Sequence, residues 1–456
     1  MTTLLVYEET KAITKPSGSG GKMTSIDSKT YLADGGYLQK GTKKNVREAD
    51  LKTEGVQDLL PGRWYRDEKI YQLERRAIFA RYWHVASFIA KFQKAGDYLT
   101  LEMFGWSFFL IRDKEGKINA FHNVCRHRGH PVTTKDSGST TVLACKFHGW
   151  TYLPTGALHT AREYMELPNF NASEHSLFKI HTHVTAQGFI FVNFDASPSP
   201  SVPFSSQFGD DFDPAPEAAT GKEIGDEFAL FPPVHEWVYD HTWLSESAGT
   251  NYNWKTFADG FQECYHCATG HPTTLPKDFC LNDYYLRQGH GSSRHFLPSA
   301  DSRIKESYIT WLYPVGAIIF SEDLLFIARF DARGALDTRY QSETYRRRKM
   351  AKDTDEHKHW MDKDIEYWRF VEREDVELAV NAQKGFANGI LAKGRLHPLQ
   401  EHAVKWYQDK LRASLVEHKQ LETDTGCALD YSVPNAEKEW EGKDPLCKLM
   451  GSELEW

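Results

Sequence analysis

The segments "CRHRGHPVTT" (Cys125–Thr134) and "CKFHGW" (Cys145–Trp150) place a Cys-x-His pair and a Cys-x-x-His pair seventeen residues apart, counted between His127 and Cys145. Two soft thiolates and two imidazoles suit one tetrahedral zinc, or an iron–sulfur cluster with the two Cys on one iron and the two His on the other. A two-Cys two-His zinc finger carries its His pair on a short helix, three to five residues apart. Here both pairs fall among strand-like runs, at the tips of expected β-hairpins. Gly129 and Gly149 close the two segments and let backbone amides approach sulfide ions. That pattern favours the cluster.

The runs around these pairs are "YLTLEMF", "SFFLIRD", "INAFHNVC", "TVLACKF", "WTYLP" and "GFIFVNFD". Short strands punctuated by Gly and Asp predict a small antiparallel β domain over residues 59–200, entered through a helical lead-in. Residues 1–58, with "PSGSGG", have the composition of a flexible extension. A Pro/Ser/Asp-rich connector, "DASPSPSVPFSSQFGDDFDPAPEAATG", opens a second domain over 201–425. There, "NYNWKTFADGFQECYHCAT" and "KDIEYWRFVEREDVELAVNAQKGF" read as helices around strands such as "ESYITWLYPVGAIIFSEDLLFIARFDA". The fold class is therefore α+β, with helices packed on an antiparallel sheet. Residues 426–456 read as a polar C-terminal tail.

At 456 residues the chain has room for two or three cores, and 13% aromatic content points to an aromatic interior. A net charge of -8 without a basic run gives no nucleic-acid signal. No apolar window reaches membrane-spanning length, and the N-terminus lacks the apolar core of a signal peptide, so a cytoplasmic enzyme is expected. The 7 Cys are expected to be reduced thiols. Cys264 and Cys267 form a Cys-x-x-Cys, read here as helix packing.

The second domain offers its own metal set. "NWKTFADGFQECYHCATGHP" supplies Glu263, His266 and His271. Five residues apart on a continuous helix, the two imidazoles diverge by about 140°. A break at "ATG", with Gly270 ending the helix, returns His271 to the same metal. Two His and a carboxylate suit a non-haem Fe(II) centre with positions open for O₂. About a hundred residues on, Glu372, Glu374, Asp375 and Glu377 are all candidate carboxylates, and the residues by themselves do not choose.

The first motif, with its flanking "NVCRHRG" and "CKFHGW", resembles the Rieske [2Fe-2S] domain at Cys125, His127, Cys145 and His148. The His-x4-His pair and the later "EDVELAVNAQKGF" resemble the catalytic domain of Rieske non-haem iron oxygenases. With "GRLHPLQEHAVKWY", the likeness spans roughly residues 60–415. It implies a helix-grip-like catalytic domain and His266, His271 and Asp375 as iron ligands. It also implies a head-to-tail homotrimer in which Glu263 bridges His266 to His148 of the next subunit. Electrons would come from NAD(P)H through a separate flavin/iron–sulfur reductase.

Glu at position 263, where most ring-hydroxylating members carry Asp, resembles the choline/carnitine monooxygenase branch. The expected activity is thus O₂-dependent hydroxylation of a C–H bond next to nitrogen in a small quaternary ammonium compound, with N–C cleavage when the product collapses. Trp237, Tyr239, Trp243, Phe257, Trp311, Tyr313, Phe320 and Phe326 are candidates for an aromatic cage around the ammonium group. The rival readings are an aromatic-ring dioxygenase and a non-catalytic Rieske electron carrier.

Overall fold

The structure, a computed structural model, describes residues 38–40, 57–212, 226–229, 231–244, 251–300, 307–350, 355–435 and 437. Helix α1 (Glu68–Glu74) is capped by Asp67, whose side chain accepts from the Lys69 amide. It leads into a seven-stranded sheet. Its strand order is His84–Phe88, Phe189–Asn193, Lys179–Val184, Ile118–His122, Trp106–Arg112, Asp97–Met103 and Ser137–Ser139. Alternation sets the faces: Leu99, Leu101 and Met103 are buried while Glu102 points to solvent.

The Cys145 loop tips a hairpin, Leu143–Ala144 with Thr151–Tyr152. The Cys125 loop does not. The strand before it pairs with Trp106–Arg112, and the strand after it pairs with Asp97–Met103. The chain leaves the sheet there to wrap its Cys and His residues around one point, so that part of the hairpin expectation is corrected.

The second domain is built on an eight-stranded antiparallel sheet. Its order is Leu38–Lys40, Tyr285–Gln288, Ser292–Leu297, Ser307–Leu312, Ala317–Phe320, Leu324–Gly334, Asp337–Arg347 and Trp237–Leu244. Within the segment expected to be a flexible extension, Leu38–Lys40 adds this edge strand and Gln57–Asp58 pairs with Arg395–Leu396. An open sheet edge accepts any extended backbone, whatever its side chains. The rest of the 1–58 segment lies outside the described residues.

The strand Asp337–Arg347 is polar enough to escape a hydrophobic-pattern reading. Its Glu343 is fully buried, taking Arg329 at 3.3 Å and Lys91 at 3.1 Å, with Ser87 donating at 2.7 Å. A charge that is paired and hydrogen-bonded can occupy an interior strand position. Helices α2 (Trp254–Phe261), α3 (Asp355–Ala387) and α4 (His402–Thr425) belong to the same domain. No helix among the described residues is long and apolar enough to cross a membrane.

The two domains share one core, in which Ile78, Phe104 and Phe194 join Trp254, Phe330 and Tyr407. Across it, the Lys255 ammonium of α2 meets the Glu74 carboxylate of α1 at 2.5 Å, and the Trp254 indole donates to the other oxygen at 2.8 Å. Both ionised side chains are fully buried. Burial pushes Glu74 up and Lys255 down, against the attraction between them. Removing one partner leaves a buried charge uncompensated, so Glu74→Ala should lower the unfolding free energy by about 3–5 kcal/mol. Urea unfolding checks this, and a loss under about 1 kcal/mol, the range of surface pairs, would refute it.

Candidate metal centres

The first site consists of two matched turns. In one, the Cys125 amide donates to the His130 carbonyl at 2.9 Å and the Gly129 amide to the Cys125 carbonyl at 3.0 Å. In the other, the Cys145 amide donates to Trp150 and the Gly149 amide to Cys145, at the same two distances. Both turns need positive φ, 73° at Gly129 and 75° at Gly149, which glycine adopts without cost.

The turns sort the candidate ligands by type. Cys125 and Cys145 are buried, and their thiols lie in hydrogen-bonding contact. The rings of His127 and His148 stand 4.5 Å apart, His127 partly buried and His148 exposed. Burial pushes the Cys145 thiol up, while the Phe147 and His148 amides donate toward its sulfur and pull it down. Tyr152 sits 3.2 Å from the Cys125 sulfur. Thiols on one side and imidazoles on the other suit two irons, two Cys on one and two His on the other. Donated amides and a phenol supply the hydrogen bonds that tune such a cluster.

The second site forms where α2 stops at Phe261. The helix breaks before His266, earlier than the Gly270 break expected, and resumes for the single turn Cys267–Gly270. His266 and His271 flank that turn. A Cβ at Gly270 would lie 3.2 Å from Cδ2 of His266 and 2.9 Å from Leu378, so the glycine leaves room for the imidazole. Asp375 approaches from α3. Nε2 of His266 and Nε2 of His271 are 3.3 Å apart, and Oδ1 of Asp375 lies 3.3 Å from the first and 3.1 Å from the second. Among the described residues no other three His, Cys, Asp or Glu side chains converge this closely. With metal–ligand bonds of about 2.1 Å, this triangle matches one face of an octahedron, with the opposite face open.

A carboxylate holds each imidazole from behind. Nδ1 of His266 donates to Glu263 at 2.6 Å, and Nδ1 of His271 donates to Glu374 at 3.0 Å. Burial would lower both imidazoles, but the carboxylates outweigh it. Asp375 and Glu263 push His266 up to about 10, and Asp375 with Glu374 raises His271. Glu374 was one of four open candidates in the sequence, and its role depends on a contact 103 residues away. Glu377 is exposed, whereas Glu372 faces a cavity.

That cavity, of about 340 Å³, lies between α3 and the sheet and reaches the triad. Of the eight cage candidates, Trp243, Phe257 and Phe326 line it, and the other five belong to cores. A β-bulge explains Trp243. Tyr239 pairs with Tyr345, but His241 pairs with Thr344, so Trp243 comes opposite Ser342 on the cavity face. Phe261, Phe330, Tyr340 and Trp368 also line the cavity and were missed. Their faces follow from strand register and helix packing, which a sequence does not display.

Cys264 and Cys267 are joined as a disulfide with a Cα–Cα distance of 4.9 Å, correcting the reduced thiols expected for them, while Cys267 sits in a core cluster and Cys264 packs against it, in keeping with the packing role. The irregular turn after α2 brings their Cα atoms into bridging range. The His148 ring stands against the rings of His127 and Phe147, and among the described residues no hydrogen bond joins it to Glu263.

Residues 82–171 match the Rieske [2Fe-2S] domain, and residues 229–307 and 287–417 match the catalytic domain of the ring hydroxylating alpha subunit. The chain therefore belongs to the Rieske non-haem iron oxygenases, as an oxygenase α subunit. Within that class it is an oxidoreductase of the Rieske monooxygenase type. It is 26% identical to the carnitine monooxygenase oxygenase subunit of Escherichia coli (strain K12) over 378 residues, 77% of this chain and 92% of that one. It is 32% identical to the glycine betaine monooxygenase oxygenase subunit of Pseudomonas aeruginosa over 216 residues, 47% of this chain and 45% of that one. The solved quaternary ammonium Rieske monooxygenase CntA in complex with L-carnitine shares the fold, with TM-score 0.66 and 22% identity over 80% of this chain and 97% of that chain. The two matched domains imply a [2Fe-2S] cluster and a mononuclear iron, and both residue sets fit them.

Asp375→Ala should abolish retention of the mononuclear iron and leave the cluster's visible spectrum intact, because the two sites share no ligand. Glu374→Gln should weaken iron retention about 10- to 100-fold, the usual cost of losing a carboxylate that orients a ligating imidazole. Iron analysis after anaerobic reconstitution checks both, and iron lost from Glu374→Gln but kept in Asp375→Ala would reverse the assignment.

Proposed function

We propose that this chain is the terminal oxygenase of a quaternary ammonium monooxygenase. It hydroxylates a C–H bond beside the nitrogen of a choline-, carnitine- or betaine-like small molecule, and collapse of that product cleaves the N–C bond. The balance is one O₂, two electrons and two protons for each hydroxyl inserted and each water released. The observation that carries this reading is the face made by His266, His271 and Asp375, open to an aromatic-lined cavity. The names of the carnitine and betaine relatives support the substrate class.

In this reading Cys125, His127, Cys145 and His148 hold the cluster, and His266, His271 and Asp375 hold the iron. When bound, the cluster passes single electrons and the iron activates O₂. The chain's own residues do the rest. Glu263 and Glu374 fix the two imidazoles with Nε2 aimed at one point, and ring faces hold the cationic head by cation–π attraction. The working assembly is a cytoplasmic homotrimer supplied by a flavin/iron–sulfur reductase using NAD(P)H. The exposed His148 of one subunit meets Glu263 of the next.

The test is O₂ uptake with a surrogate reductase and NADH in the presence of choline, glycine betaine or L-carnitine. At least one should drive uptake with a single labelled oxygen atom entering the product. Silence with all three, and two atoms entering an arene such as naphthalene, would favour the ring dioxygenase instead. Glu263→Gln, reconstituted with iron in excess so that both metal sites are filled, should slow oxidation of the reduced cluster in single turnover about tenfold or more. Transfer at the normal rate would remove Glu263 from the electron path.

A further inference from the structure

Between the end of α2 at Phe261 and the turn Cys267–Gly270 the chain is irregular, and His266 ends that stretch. Irregular backbone positions an imidazole only through what it is tied to. One tie is Glu263, whose carboxylate accepts the amides of Tyr265 and His266, the latter at 3.1 Å, as well as Nδ1 of His266. The other is covalent. The Cys264–Cys267 disulfide closes a ring around Tyr265 and His266.

Cys267 roots that ring. It is 4% exposed and packs in one core with Leu275, Phe279 and, from the helix that carries Asp375, Val371. Its carbonyl accepts the His271 amide at 3.2 Å. The sulfur bridge fastens Cys264, and with it the irregular stretch, to this buried residue. Beside the bridge, the Cys267 amide donates to the Cys264 carbonyl at 3.3 Å, longer than an ordinary amide hydrogen bond.

The oxidation is selective, since Cys280 and Cys427 are free thiols. Closing so short a loop gives the fold as a whole little stability, so its effect is local. In the cytoplasm, where we place this chain, disulfides are usually transient and serve catalysis or redox sensing. Cys264 is partly buried and both cysteines line the cavity that reaches the triad, so a small reagent has access to the bond.

We propose that Cys264–Cys267 is a redox switch on the mononuclear iron site. As a disulfide it holds His266 in register with His271 and Asp375; as two thiols it lets the turn relax, and the site releases iron more readily. Thiol–disulfide exchange drives both directions. A dithiol breaks the S–S bond, gives up two electrons and two protons to make two thiols, and closes to its own disulfide. A small disulfide takes the same electrons and protons back, leaving as two thiols while the Cys264–Cys267 bond re-forms. The inference rests on His266, His271 and Asp375 holding iron, and on no particular substrate.

The test treats the reconstituted holoenzyme anaerobically with dithiothreitol or with oxidised glutathione, removes the reagent, and follows iron release to ferrozine. Alkylation after denaturation, read by peptide mass spectrometry, counts the thiols at Cys264 and Cys267, and the cluster's visible spectrum reports damage elsewhere. Dithiothreitol should expose both thiols and speed release of the mononuclear iron about tenfold, the lower end of the cost of losing a group that orients a ligand. Oxidised glutathione should close the bond and restore the slow rate. The double variant Cys264→Ser, Cys267→Ser should release iron at the fast rate after either treatment. Equal release from the two wild-type forms overturns the proposal without any variant. So does a pair that stays reduced in oxidised glutathione, or a double variant that still responds to dithiothreitol. Wild-type enzyme that retains no iron beyond the cluster's in either form overturns the metal reading, and the switch with it.

Discussion

Two hydrogen bonds from imidazole Nδ1 to carboxylate organise the catalytic domain, one from His266 to Glu263 and one from His271 to Glu374. Each fixes a tautomer and a ring plane, so that both Nε2 atoms point at Oδ1 of Asp375. Without them the rings would turn about χ2, whose barrier is broad and low. The turn after α2, the glycine at 270 and the approach of α3 all serve this geometry. Three like-directed lone pairs within 3.3 Å of one another repel unless a cation or protons sit among them. Before a metal binds, protons fill that role, which is why His266 is raised to about 10. Metal binding expels those protons and weakens as pH falls.

The domains are not independent beads. Their common core and the buried Glu74–Lys255 pair fix the small β domain against the catalytic sheet. The hairpin turn at Phe104–Gly105 adds a further tie: Asp331, from the catalytic sheet, accepts the Phe104 amide at 2.5 Å while the Phe104 ring stacks on Phe79 at 4.1 Å. Phe104 holds a φ of 56°, a conformation a bulky residue rarely adopts, and both contacts keep it there. The result is a rigid mount for the tip that carries His148, a candidate ligand, at the surface. An electron carrier needs that combination, because transfer rates depend on fixed distances and an exposed exit.

Buried charge recurs at Glu343 and Glu74, and Asp375 is a partly buried one. Glu343 and Glu74 are met by cations of the same chain and serve the fold. Asp375 faces the point where a metal cation belongs. Such groups cost several kcal/mol to bury, and a fold that retains them beside a cavity ties its shape to the charge of what enters.

Much of the site was legible in the sequence because its chemistry is local. Cys-x-His, Cys-x-x-His and the glycines that follow fall within two short turns, and His266 and His271 share one. Residue spacing also carried the short strands of the first domain, whose alternation is local too. Asp375 was not separable from Glu372, Glu374 and Glu377 on residue type; choosing it took resemblance to a known family, and placing it against the two imidazoles took the packing of α3 on the turn after α2. The same packing gave Glu374 to His271 and Glu372 to the cavity. A bulge after Tyr239 decided that Trp243 faces the cavity while Trp237 does not, and a buried ion pair let the polar strand Asp337–Arg347 join the sheet. Sequence determines which groups can bind a metal and which neighbours they have along the chain. Only tertiary structure decides which face a side chain takes and which distant carboxylate it meets, since those depend on register and helix packing between residues a hundred or more positions apart.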